Sequence, residues 1–334
     1  MKANAPLPLL RTPVDVGGAL RLIGVRDRNV FLGSCFAEYV GRQFQTCLFR
    51  TVVNPLGVLY NPMSIARVLS LASQNEDKKP RTCACDYIKG DGMWHTWLGD
   101  TSLSRTQKND CRKETEWALA LLHEELLHAD NLFLTLGTTH YYMEEENGAV
   151  VANCHRLPSS MFRESEMSVE EVVACLSEVL LPLHKANPRM QVVFTVSPYR
   201  YRKYGFHESQ LAKSRLLLAV DELVHCHSDW VCYFPAYELL MDELRDYRFY
   251  AEDMLHPSPQ AVEYIWQRMV DAWLADEART YLLRYEPISR ALQHRPLHPE
   301  DPAQATFKQQ ALDQLAQLLA EYKLNKDENK SLKV

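Results

Sequence analysis

Val30-Phe31-Leu32-Gly33-Ser34-Cys35-Phe36-Ala37 decides how the chain is read. Three apolar residues run straight into a glycine and a serine. Phe36, Ala37, Val40, Gly41, Phe44 and Leu48 then recur at intervals of three and four. The first half is a buried strand and the second is the stripe of a helix packed on a sheet. A further apolar run, residues 49–53, ends at the turn-rich loop Asn54-Pro55-Leu56-Gly57. Pro62 suits the first turn of a helix through Ile65, Val68 and Leu69. Strand, helix, strand, loop, helix is the opening of a parallel α/β sheet.

The alternation continues outward from there. The spacing predicts a helix over 113–128, a strand over 132–136 ending at Gly137, and a hairpin of 141–143 with 149–152 around Asn147-Gly148. Ser168 and Glu171 form a capping box for a helix to about residue 185. A strand over 191–196 ends at Ser197-Pro198, and a helix over 208–226 leads to a last strand over 230–234. Ser258-Pro259 has the form of an N-cap and a first-turn proline, opening a helix through Val262, Ile265, Trp266 and Met269. Between 72 and 110 the pattern weakens, with Asn75 to Lys79 polar and Trp94, His95 and Trp97 suggesting a short aromatic insertion. Beyond Asp276 no strand signal remains; residues 312–324 read as an amphipathic helix and 325–334 as a charged, frayed end. The expected organisation is one α/β domain over 1–276, with an insertion at about 73–112, and a helical C-terminal extension over 277–334.

Composition sets the outer bounds. The 334 residues are 46% hydrophobic and 24% charged, which excludes collagen, wholesale disorder and a bare coiled coil. With 37 Lys and Arg against 43 Asp and Glu, the net charge of −6 provides no general pull on nucleic acid or an anionic membrane. No apolar run approaches the ~18 residues of a membrane span. Residues 1–11 lack a sustained apolar region and a small-residue cleavage site, so no secretory signal is expected. Nine scattered cysteines do not form a disulfide framework, and a reducing cytoplasm is the expected compartment. Only 12 glycines are present, roughly half the usual ~7%, so the place of each is informative.

Three of those glycines fall at strand ends. In doubly wound sheets ligands bind beyond the carboxyl ends of the strands. Gly33-Ser34-Cys35, Gly57, Gly137-Thr138-Thr139-His140 and Ser197-Pro198 all lie there. A serine between strand and helix sits at the positive end of a helix dipole, where N–H groups can stabilise an oxyanion; it also serves as a plain N-cap. Asp253-Met254-Leu255-His256 offers the partner chemistry. A hydroxyl nucleophile needs a base, and the base needs a carboxylate to hold its tautomer; a three-residue offset lets Asp253 approach Nδ1 of His256. Cys35, as the first residue of the packed helix, is read as facing inward.

Other signals are weaker. His123-Glu124-Glu125-Leu126-Leu127-His128 places its histidines five apart, so the rings do not share a face as a zinc helix requires. Cys83, Cys85 and Cys111 lack a paired second half. No metal and no cofactor are expected. Arg200, Arg202 and Lys203, interleaved with Tyr199, Tyr201 and Tyr204, follow a strand end and are placed along a substrate cleft.

These stretches resemble the GSCFA family, which takes its name from the run Gly33-Ser34-Cys35-Phe36-Ala37. Asn54-Pro55-Leu56-Gly57-Val58-Leu59-Tyr60-Asn61-Pro62, Asn153-Cys154-His155 and the long run from Asp246 through Asp253 and His256 to Ser258 resemble it as well. The resemblance covers roughly residues 28–275. The family is similar to the SGNH, or GDSL-like, hydrolases, which implies a flavodoxin-like three-layer α/β sandwich with a mainly parallel five-stranded sheet. It also implies Ser34 as nucleophile, Asp253 and His256 as orienting acid and base, and Gly57 as an oxyanion-hole donor alongside the Ser34 N–H. This chain departs in the third block. Relatives carry Gly-x-Asn-Asp where Gly137-Thr138-Thr139-His140 stands, so the asparagine donor is missing at Thr139. Either Thr139 donates in its place or a group from elsewhere does, with Asn153 favoured. His155, Tyr199 and Arg200 are the expected substrate contacts.

The resulting expectation is a metal-independent serine hydrolase acting on a small-molecule or carbohydrate ester through an acyl-enzyme. An acyltransferase to a carbohydrate hydroxyl, and a non-catalytic binding protein on the same fold, are the alternatives.

Overall fold

Alternation within the first strand, β1 (Asn29–Gly33), sets up the two faces of the molecule: Val30 and Leu32 enter one core and Phe31 the other. A computed structural model describes residues 11–73, 82–294 and 302–324 of the chain. In it β1 is followed by α1 (Cys35–Thr46), β2 (Thr51–Val53) and α2 (Pro62–Ala72). The insertion forms a small antiparallel hairpin, β3 (Tyr87–Gly90) with β4 (Met93–Thr96). Then come α3 (Lys108–His128), β5 (Asn131–Leu136), β6 (His140–Glu144), β7 (Val150–Val151), β8 (Phe162–Glu166), α4 (Val169–Ala186), β9 (Gln191–Val196), α5 (Phe206–Cys226) and β10 (Val231–Tyr233). A short α6 (Ala236–Glu238) runs into a π-helical turn (Leu239–Leu244), and α7 (Pro259–Trp273), α8 (Asp276–Gln293) and α9 (Pro302–Glu321) complete the order.

The main sheet has five parallel strands in the order β10-β9-β5-β1-β2. Counted along the chain that is 2-1-3-4-5, the flavodoxin-like order, with its switch point between β1 and β5. All residues of β1, β5 and β9 are buried, as a sheet covered on both faces demands. Helices α2, α3, α4 and α5 cover one face, packing Leu69, Leu119, Leu176 and Leu216 against Leu32, Leu134 and Phe194. Helices α1, α7, α8 and α9 cover the other, around Phe31, Phe44, Phe133 and Trp266. Phe31 and Phe133 stack with centroids 4.2 Å apart, and Phe44 meets Trp266 edge-on at 5.0 Å. At the opposite end of the sheet from the candidate site, side-chain amides pin the register. Asn131 donates to Asn29 at 2.8 Å and Gln191 donates to Asn131 at 2.6 Å.

The three-layer α/β sandwich and the helical C-terminus are as expected. Ser168 and Glu171 form the capping box, Asn61 caps α2 ahead of Pro62, and Ser258 caps α7 ahead of Pro259. Three features differ. The hairpin of β6 and β7 gains a third strand, β8, whose sequence Phe-Arg-Glu-Ser-Glu has no apolar period to announce it. Helix α3 begins at Lys108 and α9 at Pro302, earlier than their apolar stripes, because their first turns are mostly polar. The C-terminal helices are tied to the sheet layer through α1: Tyr281 donates to Cys47 O at 3.0 Å and Tyr285 to Thr46 O at 2.7 Å, satisfying carbonyls that a helix end leaves orphaned. No helix among the described residues is long and apolar enough to cross a membrane. The readings of residues 1–10, of Asn75 to Lys79 and of the frayed end over 325–334 lie outside the described residues.

Candidate active site

Gly33 ends β1 with φ +136°, and a Cβ there would lie 2.2 Å from the carbonyl oxygen of Thr135. Only glycine lets β1 and β5 approach so closely at the switch point. Its N–H is taken by Asn54 Oδ1 at 2.9 Å, which ties the end of β2 to the same place. Ser34 follows as the N-cap of α1. Its Oγ accepts the N–H of Phe36 at 3.3 Å, its own N–H donates to Thr135 O at 3.1 Å, and the residue is 1% exposed.

Cys35 corrects the inward reading. It opens α1 half-buried, one turn before Tyr39 and on the same face as Tyr39, Arg42 and Thr46, whereas Phe36, Ala37, Val40 and Phe44 turn into the core. A stripe spaced at 36, 37, 40 and 44 leaves 35 on its outer flank. Burial among neighbouring side chains still pushes the thiol up to about 11, with the Lys213 ammonium opposing that shift.

Asp253 and His256 are brought together. Asp253 Oδ1 accepts the N–H of Leu255 at 2.9 Å and of His256 at 3.0 Å, and Oδ2 lies 2.5 Å from His256 Nδ1. The left-handed Met254, at φ +60°, bends the loop back to make this grip. The hydrogen bonds from His256 and from Leu255 hold the Asp253 carboxyl down at about 2. Nε2 of His256 has no hydrogen bond among the described residues and is left for a ligand. The Tyr199 ring lies against the imidazole with centroids 4.4 Å apart. Arg200 secures the same loop: its N–H donates to Leu255 O at 3.1 Å and its guanidinium to Met254 O at 3.3 Å, while packing over Phe206 at 4.3 Å. The strand-end stretch after β9 and the Asp-x-x-His motif therefore form one wall.

Three of the expected oxyanion donors, the N–H groups of Ser34 and Gly57 and the Thr139 hydroxyl, are engaged elsewhere. Beyond the Ser34 N–H, the Gly57 N–H donates to Asn54 O at 2.8 Å. Gly57 holds φ +80°, and a Cβ there would strike the Asp100 carboxylate at 2.1 Å. Thr139 is buried and its hydroxyl donates to Glu166 at 2.9 Å. Asn153 uses its side-chain oxygen to accept the His155 N–H at 2.8 Å, an ordinary turn. His155 is buried between stacked neighbours, its ring 4.5 Å from His95, with Nε2 2.8 Å from Thr96 O. It belongs to the β3–β4 hairpin packing and does not meet His256.

Near the strand ends, Lys213 escaped the sequence reading, and Asn54 and Tyr201, both read there, take positions it did not assign. Asn54 Nδ2 is buried with no partner, and its backbone is left-handed at φ +42°. Lys213, 2% exposed on α5, donates from Nζ to Gly137 O and Ser197 O, both at 2.6 Å, and so clips together the loops after β5 and β9. Burial pushes its amine down to about 7. The Tyr201 hydroxyl is sealed from solvent without a partner. The available signal was a lysine on the apolar stripe of α5, beside Ala212 and Leu216.

Two clefts flank α1. One of about 470 Å³ is lined by Tyr39, Arg42, Thr46, His256 and Pro257. A larger one of about 1160 Å³ is lined by Glu38, Arg42, Gly57, Asp100, Lys113 and Trp117. Arg42 and Thr46 border both.

Comparison with known proteins follows the same segments. The sequence profile of the GSCFA family matches residues 28–269, and that of the GSCFA domain protein, C-terminal domain, matches residues 285–331. No curated protein matches the chain. A solved acetyl xylan esterase from the rumen bacterium Butyrivibrio proteoclasticus is similar at 14% identity and a TM-score of 0.26, over 46% of this chain and 41% of that one.

Proposed function

The chain belongs to the GSCFA family, and on that premise we propose that it is a carboxylic-ester or acyl hydrolase in which His256, oriented by Asp253, activates a nucleophile at the start of α1. The observation that carries this reading is the 2.5 Å contact between Asp253 Oδ2 and His256 Nδ1, with Nε2 left for a proton transfer. The nucleophile attacks an acyl carbonyl as its proton passes to Nε2. Nε2 then returns that proton to the leaving alcohol, and water releases the acyl group by the same route. Ser34 is the side chain the family resemblance implies for the attack, and it must leave its cap on Phe36 to make it.

The charge of the forming oxyanion needs donors that are free when substrate binds. The N–H groups of Ser34 and Gly57 and the Thr139 hydroxyl are engaged in this structure. Asn54 Nδ2, unpartnered where β2 meets Gly33, is the side-chain amide the third block lacks.

The test is hydrolysis of p-nitrophenyl acetate by the full chain and by His256→Gln. The expected result is turnover that falls by at least about 100-fold in the variant. Equal rates in the two proteins would sink the proposal. Acyl transfer to a carbohydrate hydroxyl is the second reading, favoured by the larger cleft, where Trp117 is 45% exposed beside Glu38, Arg42 and Lys113. An acetylated sugar product formed when a xylose oligomer is added would select it over hydrolysis.

A further inference from the structure

The residue after the family's serine has the better position for the attack. Ser34 lies outside the helix, 1% exposed, with its Oγ turned back onto the Phe36 N–H. Cys35 is the first helical residue and stands on the face of α1 that continues through Tyr39, Arg42 and Thr46, three residues that line the His256 cleft. Tyr39, one turn beyond Cys35, lines the same cleft as His256, and Tyr199 packs on the His256 ring at 4.4 Å and edge-on against Tyr201 at 4.7 Å. The thiol is also at the N-terminus of a 12-residue helix, where the dipole favours a developing thiolate.

A second observation points to a ligand there. The Tyr201 hydroxyl is buried with no acceptor, and it reaches to 2.9 Å from where a Cβ on Gly137 would stand, at the end of β5 next to β1. It lies within electrostatic reach of Cys35, Tyr60 and Tyr199. A sealed donor without a partner is costly, and a carbonyl oxygen entering the crevice would satisfy it.

We propose that the thiol of Cys35, rather than the hydroxyl of Ser34, is the acyl-accepting nucleophile, a statement that rests on the hydrolase reading above and names the group it uses. The Cys35 sulfur bonds to the acyl carbon while its proton passes to His256 Nε2. The tetrahedral adduct collapses with cleavage of the bond to the alkoxide oxygen, which takes the proton from Nε2 and departs as an alcohol. The thioester is then hydrolysed: water gives a proton to Nε2, its oxygen bonds to the acyl carbon, and the sulfur leaves and is reprotonated as thiol. Because burial holds Cys35 as a neutral thiol at pH 7, its proton leaves during the attack and not before it.

The full chain is quenched during turnover of p-nitrophenyl acetate and the acetyl group located by peptide mass spectrometry. The expected result is an adduct on Cys35 that neutral hydroxylamine removes, with turnover falling at least about 100-fold in Cys35→Ala and about 10-fold or more in Cys35→Ser, both folded by circular dichroism. An acetyl group on Ser34, or wild-type turnover by Cys35→Ala, overturns the assignment. Should the chain turn over no ester, the hydrolase reading falls by itself, and alkylation by iodoacetamide still decides the nucleophile. Alkylation of Cys35 slowed about 10-fold or more by His256→Gln supports it, and equal rates refute it.

Discussion

Asp253 grips His256 at two points: Oδ1 accepts its backbone N–H at 3.0 Å, and Oδ2 meets its Nδ1 at 2.5 Å. The carboxylate thus fixes both the loop and the ring. Asp253→Asn keeps the size but removes the charge that selects the Nδ1–H tautomer. Turnover of p-nitrophenyl acetate is expected to fall about 10²–10⁴-fold. Stability should move by less than about 1 kcal/mol, since both side chains are substantially exposed. Steady-state rates and urea unfolding of the variant check the two halves.

The same pair has a pH signature. Asp253 titrates at about 2 in the folded chain against an ordinary 3.8, so its folded pKa is depressed. The grip on the loop is fully present above pH 4 and is lost as pH falls through 2. The Asp253 carboxyl carbon signal in NMR spectra should therefore stay that of the ionised form down to about pH 4 and titrate at about 2, and loss of the side-chain hydrogen bond in His256→Gln should move its midpoint up toward 3.8.

Lys213 gives the opposite sign. Its amine is held near 7 in the fold against 10.5 in the unfolded chain, so the unfolded state binds more protons between those values. Its contribution to stability therefore rises with pH from 7 to 10.5. Lys213→Met is expected to flatten that rise, measured as the difference between urea midpoints at pH 7 and pH 9.5. The variant also leaves Gly137 O and Ser197 O without their donor, which loosens two loops of the site. Its turnover should fall more than its midpoint does.

Tyr201→Phe separates stability from function. Removing a buried hydroxyl that has no partner relieves a penalty of about 1–3 kcal/mol, so the variant should be as stable as the parent or more so. If the hydroxyl meets a substrate carbonyl, kcat falls while KM changes little. Unchanged kcat would remove Tyr201 from the site.

Gly33→Ala tests the switch point. The new methyl would sit 2.2 Å from Thr135 O, on a backbone at φ +136° that side chains avoid. A loss of about 3 kcal/mol or more is expected in chemical denaturation, because two backbones and not a flexible side chain must move.

Much of the architecture was legible because it rests on local chemistry. The strand–helix joint at Gly33 and Ser34, the caps at Asn61, Ser168 and Ser258, and the hairpin at Asn147-Gly148 depend on neighbours in the chain. Strand β8 was hidden because its alternating partner face is supplied by β6, not by its own residues. In the site, the contact of Asp253 with His256 was readable from a three-residue offset, since a loop of that length closes on itself.

The sequence by itself determined an alternating α/β chain with a serine and a cysteine at the first strand end and an acid–base pair just before the proline-started helix α7. Only the tertiary structure decided which of those groups is available. The N–H of Ser34 and Gly57 carry no mark in the sequence that Thr135 and Asn54 will take them. Nothing near Lys213 says that two carbonyls from separate strand ends will surround it. Cys35 and Ser34 are adjacent letters, yet Ser34 caps the helix and is sealed while Cys35 begins it, half-buried on the face of Tyr39 and Arg42. Hydrogen-bond commitment and burial arise from the packing of distant segments, and a linear pattern records only what neighbours in the chain impose.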